Sequence, residues 1–146
     1  MSVTTRTVKA APAKVWDVLC DGWLYPLWVV GSTRMRDVDN TWPQVGSKLH
    51  HSAGVWPLMV DDNTEVLDVD PGRCLRLRAR SWPLGEAEVK ITLRPSGADA
   101  IVEIEEDVVS GPVRFLPKPA RDRMLKVRNV EALSRLAFIA ECRTTD

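Results

Sequence analysis

Ala120-Arg121-Asp122-Arg123-Met124-Leu125-Lys126-Val127-Arg128-Asn129-Val130-Glu131-Ala132-Leu133-Ser134-Arg135-Leu136-Ala137-Phe138-Ile139-Ala140-Glu141-Cys142-Arg143 contains no glycine or proline, and how this stretch folds decides the rest. Its apolar residues Leu125, Val130, Leu133, Leu136, Ala137, Ile139 and Ala140 gather on one broad helical stripe. Arg121, Asp122, Lys126, Arg135 and Glu141 fall mostly off it. The stretch predicts a helix of about 23 residues, some 35 Å long at about 1.5 Å per residue. A helix of that length with one dry side needs an apolar surface to lie against.

Alternation upstream supplies the surface. Leu75, Leu77 and Ala79 alternate with Arg76, Arg78 and Arg80, and Ala87, Val89, Ile91 and Leu93 with Glu86, Glu88, Lys90 and Thr92. Over 100–109, Val102, Ile104 and Val108 alternate with Glu103, Glu105 and Asp107. Each run reads as a strand with one dry and one wet face. Arginines on one wet face and mainly glutamates on the next two complement each other across strands, as a solvated convex surface requires. Asp70-Pro71-Gly72 and the stretch Pro95 to Asp99 are turns, and Gly111, Pro112, Pro117 and Pro119 mark a loop before the helix. Further strand-like pieces occupy 33–39, 47–53 and about 58–69, separated by turn signals at 40–46 and 54–57.

At the start of the chain, Val3, Thr5 and Thr7 alternate along a strand over 3–9. Pro12 then suits the first turn of a short helix whose stripe is Val15, Trp16, Leu19 and Cys20, ended by Asp21-Gly22. The aromatic segment Trp23 to Val30, broken by Pro26, reads as a second short helix or an irregular segment that supplies bulky walls. The element order is therefore strand, two short helices, about six antiparallel strands, long helix. This is an α+β chain with a curved antiparallel sheet of about seven strands, the C-terminal helix lying across it with space beneath.

Bulk composition is compatible with one domain over 1–146, a size that buries roughly 68–70% of its unfolded surface. Lys plus Arg and Asp plus Glu number 20 each, so nothing points to a nucleic-acid partner. Cys20, Cys74 and Cys142 are too few and too far apart for a disulfide framework or a zinc site. No metal or other cofactor is expected. The N-terminal residues lack the apolar run of a signal peptide, and no run approaches the roughly 20 apolar residues of a membrane span. The expected setting is cytoplasmic.

Val8-Lys9-Ala10-Ala11-Pro12-Ala13-Lys14-Val15-Trp16-Asp17-Val18-Leu19, the Trp23–Trp28 segment, Val45-Gly46-Ser47, Val66-Leu67-Asp68-Val69-Asp70-Pro71-Gly72-Arg73 and the final helix together span nearly the whole chain. In these features the sequence resembles the START-like (SRPBCC) superfamily of polyketide cyclases, dehydrases and lipid-transfer domains, whose helix-grip fold also occurs in the major birch-pollen allergen. The resemblance implies one START-like domain with a closed or half-open apolar cavity between sheet and helix. It transfers no catalytic residue, because these vary between branches, and fold alone does not settle function.

Polar residues that alternation places on the dry face are the informative ones, because burying them costs free energy unless they are paired. Glu106 is in phase with Val102, Ile104 and Val108. There it would act as a base or anchor a ligand hydroxyl; a bulge to solvent or a structural pairing with an arginine is the other reading. Arg128, with Asn129 beside it, lies one turn from Met124 and Ala132. It either reaches inward, to Glu106 or an anionic ligand, or snorkels at the edge. Of the neighbours His50 and His51 at most one enters the cavity, where it could move a proton; an edge or surface position is the simpler expectation for both. Among six tryptophans, Trp16 reads as core, whereas Trp28, Trp56 and Trp82 are candidates to stack flat ligands at the cavity.

The catalytic candidates are thus Glu106, His50 and His51, and the ligand-binding candidates Trp28, Trp56, Trp82, Glu106, Met124, Arg128 and Ala132. Three functions fit: binding or transport of a small hydrophobic or aromatic molecule, by a monomer or homodimer; an aromatase-, cyclase- or dehydrase-type enzyme acting on a polyketide-like substrate; or a protein-interaction module of the same fold.

Overall fold

The computed structural model describes residues 2–29, 32–53, 60–81 and 85–142. Strand β1 (Ser2–Val8) leads into helix α1 (Pro12–Cys20), a 3-10 turn (Gly22–Leu24) and helix α2 (Tyr25–Trp28). Strands β2 (Ser32–Val38), β3 (Lys48–Ala53), β4 (Val60–Asp70), β5 (Cys74–Ser81), β6 (Gly85–Ser96) and β7 (Asp99–Ser110) follow. A second 3-10 turn (Pro112–Phe115) precedes helix α3 (Lys118–Cys142). The element order is the expected one, and among the described residues the seven strands form one antiparallel sheet ordered β1-β7-β6-β5-β4-β3-β2.

The boundaries shift by a few residues for local reasons. Helix α3 begins at Lys118 instead of Ala120, because Pro119 sits in the first turn, where a missing N–H leaves no helical hydrogen bond unmade. Strands β6 and β7 run further into the predicted turn, pairing as far as Ser96↔Asp99. The two-residue loop Gly97-Ala98 is left, with Gly97 at φ 61°, the left-handed backbone that tight hairpins demand. The aromatic segment resolves into the 3-10 turn and α2, with Pro26 again in a first turn.

The sheet's inner face is dry. Leu49, Val66, Leu75, Leu77, Ile91, Leu93, Val102 and Ile104 are buried beneath α1, α2 and α3. Helix α3 packs chiefly on β1, α1, α2 and β7. It buries Leu125, Leu133 and Leu136, and in its second half Ala132, Ala137 and Ala140 allow close approach. Val130, expected on the buried stripe, is instead 49% exposed; at about 100° per residue it falls beyond the arc that Leu133 and Leu136 define.

The outer face carries the expected charge ladder. Glu88 accepts hydrogen bonds from Arg76 and Arg78, each at 2.9 Å, and Arg80 pairs with Glu86 at 3.0 Å. The two guanidiniums hold the Glu88 carboxyl below its ordinary range. Such exposed pairs fix register more than they add stability.

Gly22, buried at the α1–α2 junction, allows the inner sheet to come close. A Cβ there would lie 2.5 Å from Leu49 Cδ2 and 2.9 Å from Val38 Cγ1. Gly22→Ala is therefore expected to destabilise the fold by about 1–3 kcal/mol through overpacking, read as a lower midpoint in urea. An unchanged midpoint would mean that α1 and β3 separate freely at this point.

Candidate functional site

Glu106 lies where alternation puts it. The β6–β7 register runs unbroken from Ala87↔Val108 to Ser96↔Asp99, so Glu106 shares the inner face with Val102 and Ile104 and is 2% exposed. A carboxylate so placed needs a partner. Arg128, reaching down from α3, donates from Nη2 to Glu106 Oε2. The Arg128 side chain is 41% exposed and that of Glu106 1%, so the guanidinium spans from rim to interior. The inward reading toward Glu106 and the edge reading of Arg128 thus meet in one side chain.

A second polar group is built from α2, β3 and β4. Thr64, fully buried, shares its hydroxyl between Tyr25 Oη at 3.1 Å and His51 Nε2 at 2.9 Å. The Tyr25 and His51 rings stack with centroids 5.6 Å apart, and Trp28 meets Tyr25 edge-on at 5.5 Å. Strand parity separates the histidines. His50 points outward to Asp39 Oδ1 at 2.9 Å, whereas His51 is 4% exposed. The expectation of an edge or surface position holds for His50 and is corrected for His51: the register Leu49↔Thr64 and His51↔Asp62 puts His51 on the same inner face as Leu49 and Thr64.

Burial raises the Tyr25 phenol above its ordinary pKa. The Thr64 hydrogen bond and the nearby Arg128 charge oppose that shift, and the Glu106 charge adds to it. The ion pair and the Tyr25–Thr64–His51 set therefore lie within electrostatic reach of each other. A phenol with a raised pKa holds its proton more tightly in the folded chain than in the unfolded one. Stability is then undiminished below about pH 10 and declines as pH rises from there toward the folded value. Tyr25 is the sole tyrosine, so its ultraviolet titration reports this directly. The expected midpoint lies above that of the unfolded chain, and Tyr25→Phe should abolish the alkaline loss of stability; equal midpoints would show a solvated phenol.

Around these groups, several buried polar atoms have no hydrogen-bond partner: Trp28 Nε1, Asn129 Nδ2, Ser2 Oγ and Thr4 Oγ1. Unpartnered polar atoms under a helix are costly. Of the remaining candidates, Ala132 is 5% exposed and Trp28 also 5%, and both belong to the buried core. Met124 is 46% exposed and does not face the interior, because the adjacent Leu125 takes the inward position at 2%. Trp56 and Trp82 lie outside the described residues. Sequence reasoning passed over Tyr25 and Thr64; the available signal was Thr64 in phase with Val66 on a strand whose other face is wet.

A separate, open and polar cleft of about 430 Å³ lies at the far end of α1. It is lined by Asp17, Cys20, Trp23, Asp39 and Trp42 among others, and by none of the predicted site residues. No group of three or more His, Cys, Asp or Glu among the described residues could hold a metal ion.

The family described as polyketide cyclase / dehydrase and lipid transport matches residues 2–141. No curated protein matches the chain. Among solved structures, protein NE0264 from Nitrosomonas europaea superposes with a TM-score of 0.74 at 14% identity, over 99% of this chain and 96% of that one. Ara h 8.0201 gives 0.73 at 12% identity, over 96% of each chain. StfQ, a di-domain ARO/CYC protein of the steffimycin biosynthetic pathway, gives 0.73 at 13% identity, over 99% of this chain and 51% of StfQ. At these identities the likeness is one of fold, the helix-grip.

Proposed function

The chain belongs to the polyketide cyclase / dehydrase and lipid transport family, and from that membership we propose that it binds a small hydrophobic or aromatic molecule between the inner sheet face and α3. The observation that supports this most is a set of polar groups held inside an otherwise apolar layer: the Glu106–Arg128 pair and the Tyr25–Thr64–His51 set, beside the unpartnered Trp28 and Asn129 nitrogens. A core built only for stability gains little from such groups. A ligand site gains orientation from a few polar contacts among apolar walls.

A thermal-shift panel of sterols, fatty acids and polycyclic aromatics tests the reading, alongside native mass spectrometry of freshly purified protein. A ligand at a hundred times its Kd contributes about 2.7 kcal/mol, a rise of roughly 5–10 °C in Tm for a chain of this size. A panel that leaves Tm unmoved, with no co-purified molecule, would overturn the proposal.

A second reading, a cyclase- or dehydrase-type enzyme, is favoured by the buried His51 in hydrogen-bond contact with Thr64 and stacked on Tyr25. Such an enzyme would hold a flexible chain in a reactive conformer while His51 or Glu106 moves a proton and Tyr25, kept protonated, donates a hydrogen bond. On this reading His51→Gln and Glu106→Gln keep ligand affinity while turnover of a polyketide-like substrate falls by at least about 100-fold for the residue that moves the proton. Full turnover in both variants removes them from the chemistry.

A further inference from the structure

The N-terminal part of α3 and the turn before it concentrate charge that the rest of the chain balances out. From 114 to 127, Arg114, Lys118, Arg121, Arg123 and Lys126 stand against Asp122 alone, five basic side chains to one acid in a protein with zero formal net charge. The same segment exposes apolar side chains that a surface normally hides: Phe115 is 89% exposed, Val127 65%, Met124 46% and Leu116 44%. These are not lining residues of the site beneath α3, whose inward positions are Leu125, Asn129 and Ala132.

On the helix, Met124 and Val127 point outward with Arg123 and Lys126 close by, all four exposed. Apolar side chains at the centre of an exposed face, with long basic side chains beside them, match the interfacial pattern: the apolar groups enter the acyl boundary while Lys and Arg stems extend to the headgroups. Phe115 projects from the turn just upstream, almost wholly in solvent. No helix among the described residues is long and apolar enough to cross a membrane, so the contact would be peripheral.

We infer that this end of the molecule docks on an anionic bilayer surface, with Phe115, Leu116 and Val127 inserted and Lys118, Arg123 and Lys126 against the lipid phosphates. The charge favours a bilayer over a second copy of the chain, because two such patches facing each other would repel, whereas an anionic leaflet attracts each basic side chain. The inference stands on residues outside the proposed ligand site and does not require a ligand to be bound.

Co-sedimentation of the full chain with vesicles tests it, using phosphatidylcholine alone or phosphatidylcholine mixed with phosphatidylglycerol. Binding is expected to the mixed vesicles only and to weaken as salt rises. The double variant Arg123→Gln/Lys126→Gln should lose about twenty-five-fold in affinity, since each basic side chain near such a surface is worth about fivefold. Phe115→Ser should weaken binding as well. All three side chains are exposed, so far-UV circular dichroism and Tm should match the parent and separate lost docking from lost folding. Binding to neither vesicle, equal binding to both, or variants that bind as the parent does would each overturn the inference; the first would leave the surface to a protein partner.

Discussion

Arg128→Met is expected to cost about 3 kcal/mol of stability, because it leaves Glu106 under the helix without its cation. The Glu106 side chain is 1% exposed, so water cannot take the guanidinium's place without opening the packing. Arg128 is 41% exposed, which sets the expectation at the low end of what breaking a fully buried pair costs. Replacing both partners, Glu106→Leu with Arg128→Met, removes the uncompensated charge and should recover most of the loss. The measurement is urea unfolding of the four members of the cycle, reading midpoint shifts at constant slope. A single variant within about 0.5 kcal/mol of the parent would mean that Glu106 finds another donor. If the double variant is as stable as the parent but loses ligand affinity, the pair is kept for recognition.

Leu136→Ala should be the more damaging of two truncations on the same helix. Leu136 is 0% exposed and lies on the buried side of α3 with Ala132, Ala137 and Ala140. Its truncation leaves a cavity and costs about 2–5 kcal/mol, roughly 5–15 °C in Tm for a chain of this size. Phe138, two residues on, is 69% exposed, and Phe138→Ala should stay within about 0.5 kcal/mol of the parent. The larger side chain thus matters less. Comparable losses at both positions would show that the helix sits on the sheet with a different rotation.

That contrast marks how far the sequence could be read. The C-terminal helix, the dry faces of β5, β6 and β7, and the position of Glu106 all followed from periodicity, because strong alternation leaves a strand one way to face a core. Rotation of α3 was less legible. Met124 and Leu125 are adjacent and both apolar, and Val130 lies one turn before Leu133 and Ser134, so pattern alone admits either edge of a broad stripe. His51 was hidden for a related reason: two adjacent histidines differ only by strand parity, and β2–β3 pairing contains register shifts that spoil counting from the edge. Tyr25 sits in a one-turn helix after a 3-10 turn, where no period exists to predict a direction. Its partner Thr64 is a β-branched residue that fits a strand whichever face it takes. Trp56 and Trp82, legible only as aromatic loop residues, lie outside the described residues.

The pairing of the first strand with the last sets a schedule for synthesis. Ser2–Val8 hydrogen-bonds to Ala100–Glu106, so the first of the seven strands to be made waits for a partner made about a hundred residues later, some 5–20 s at about 5–20 residues per second. Until then no helix or hairpin upstream can complete the sheet, and long-range closure comes late in folding. An unpaired strand exposed for that time invites intermolecular pairing. Ser2-Val3-Thr4-Thr5-Arg6-Thr7-Val8 has only two apolar residues among its seven, a composition that lets a nascent chain wait in water without recruiting a neighbour.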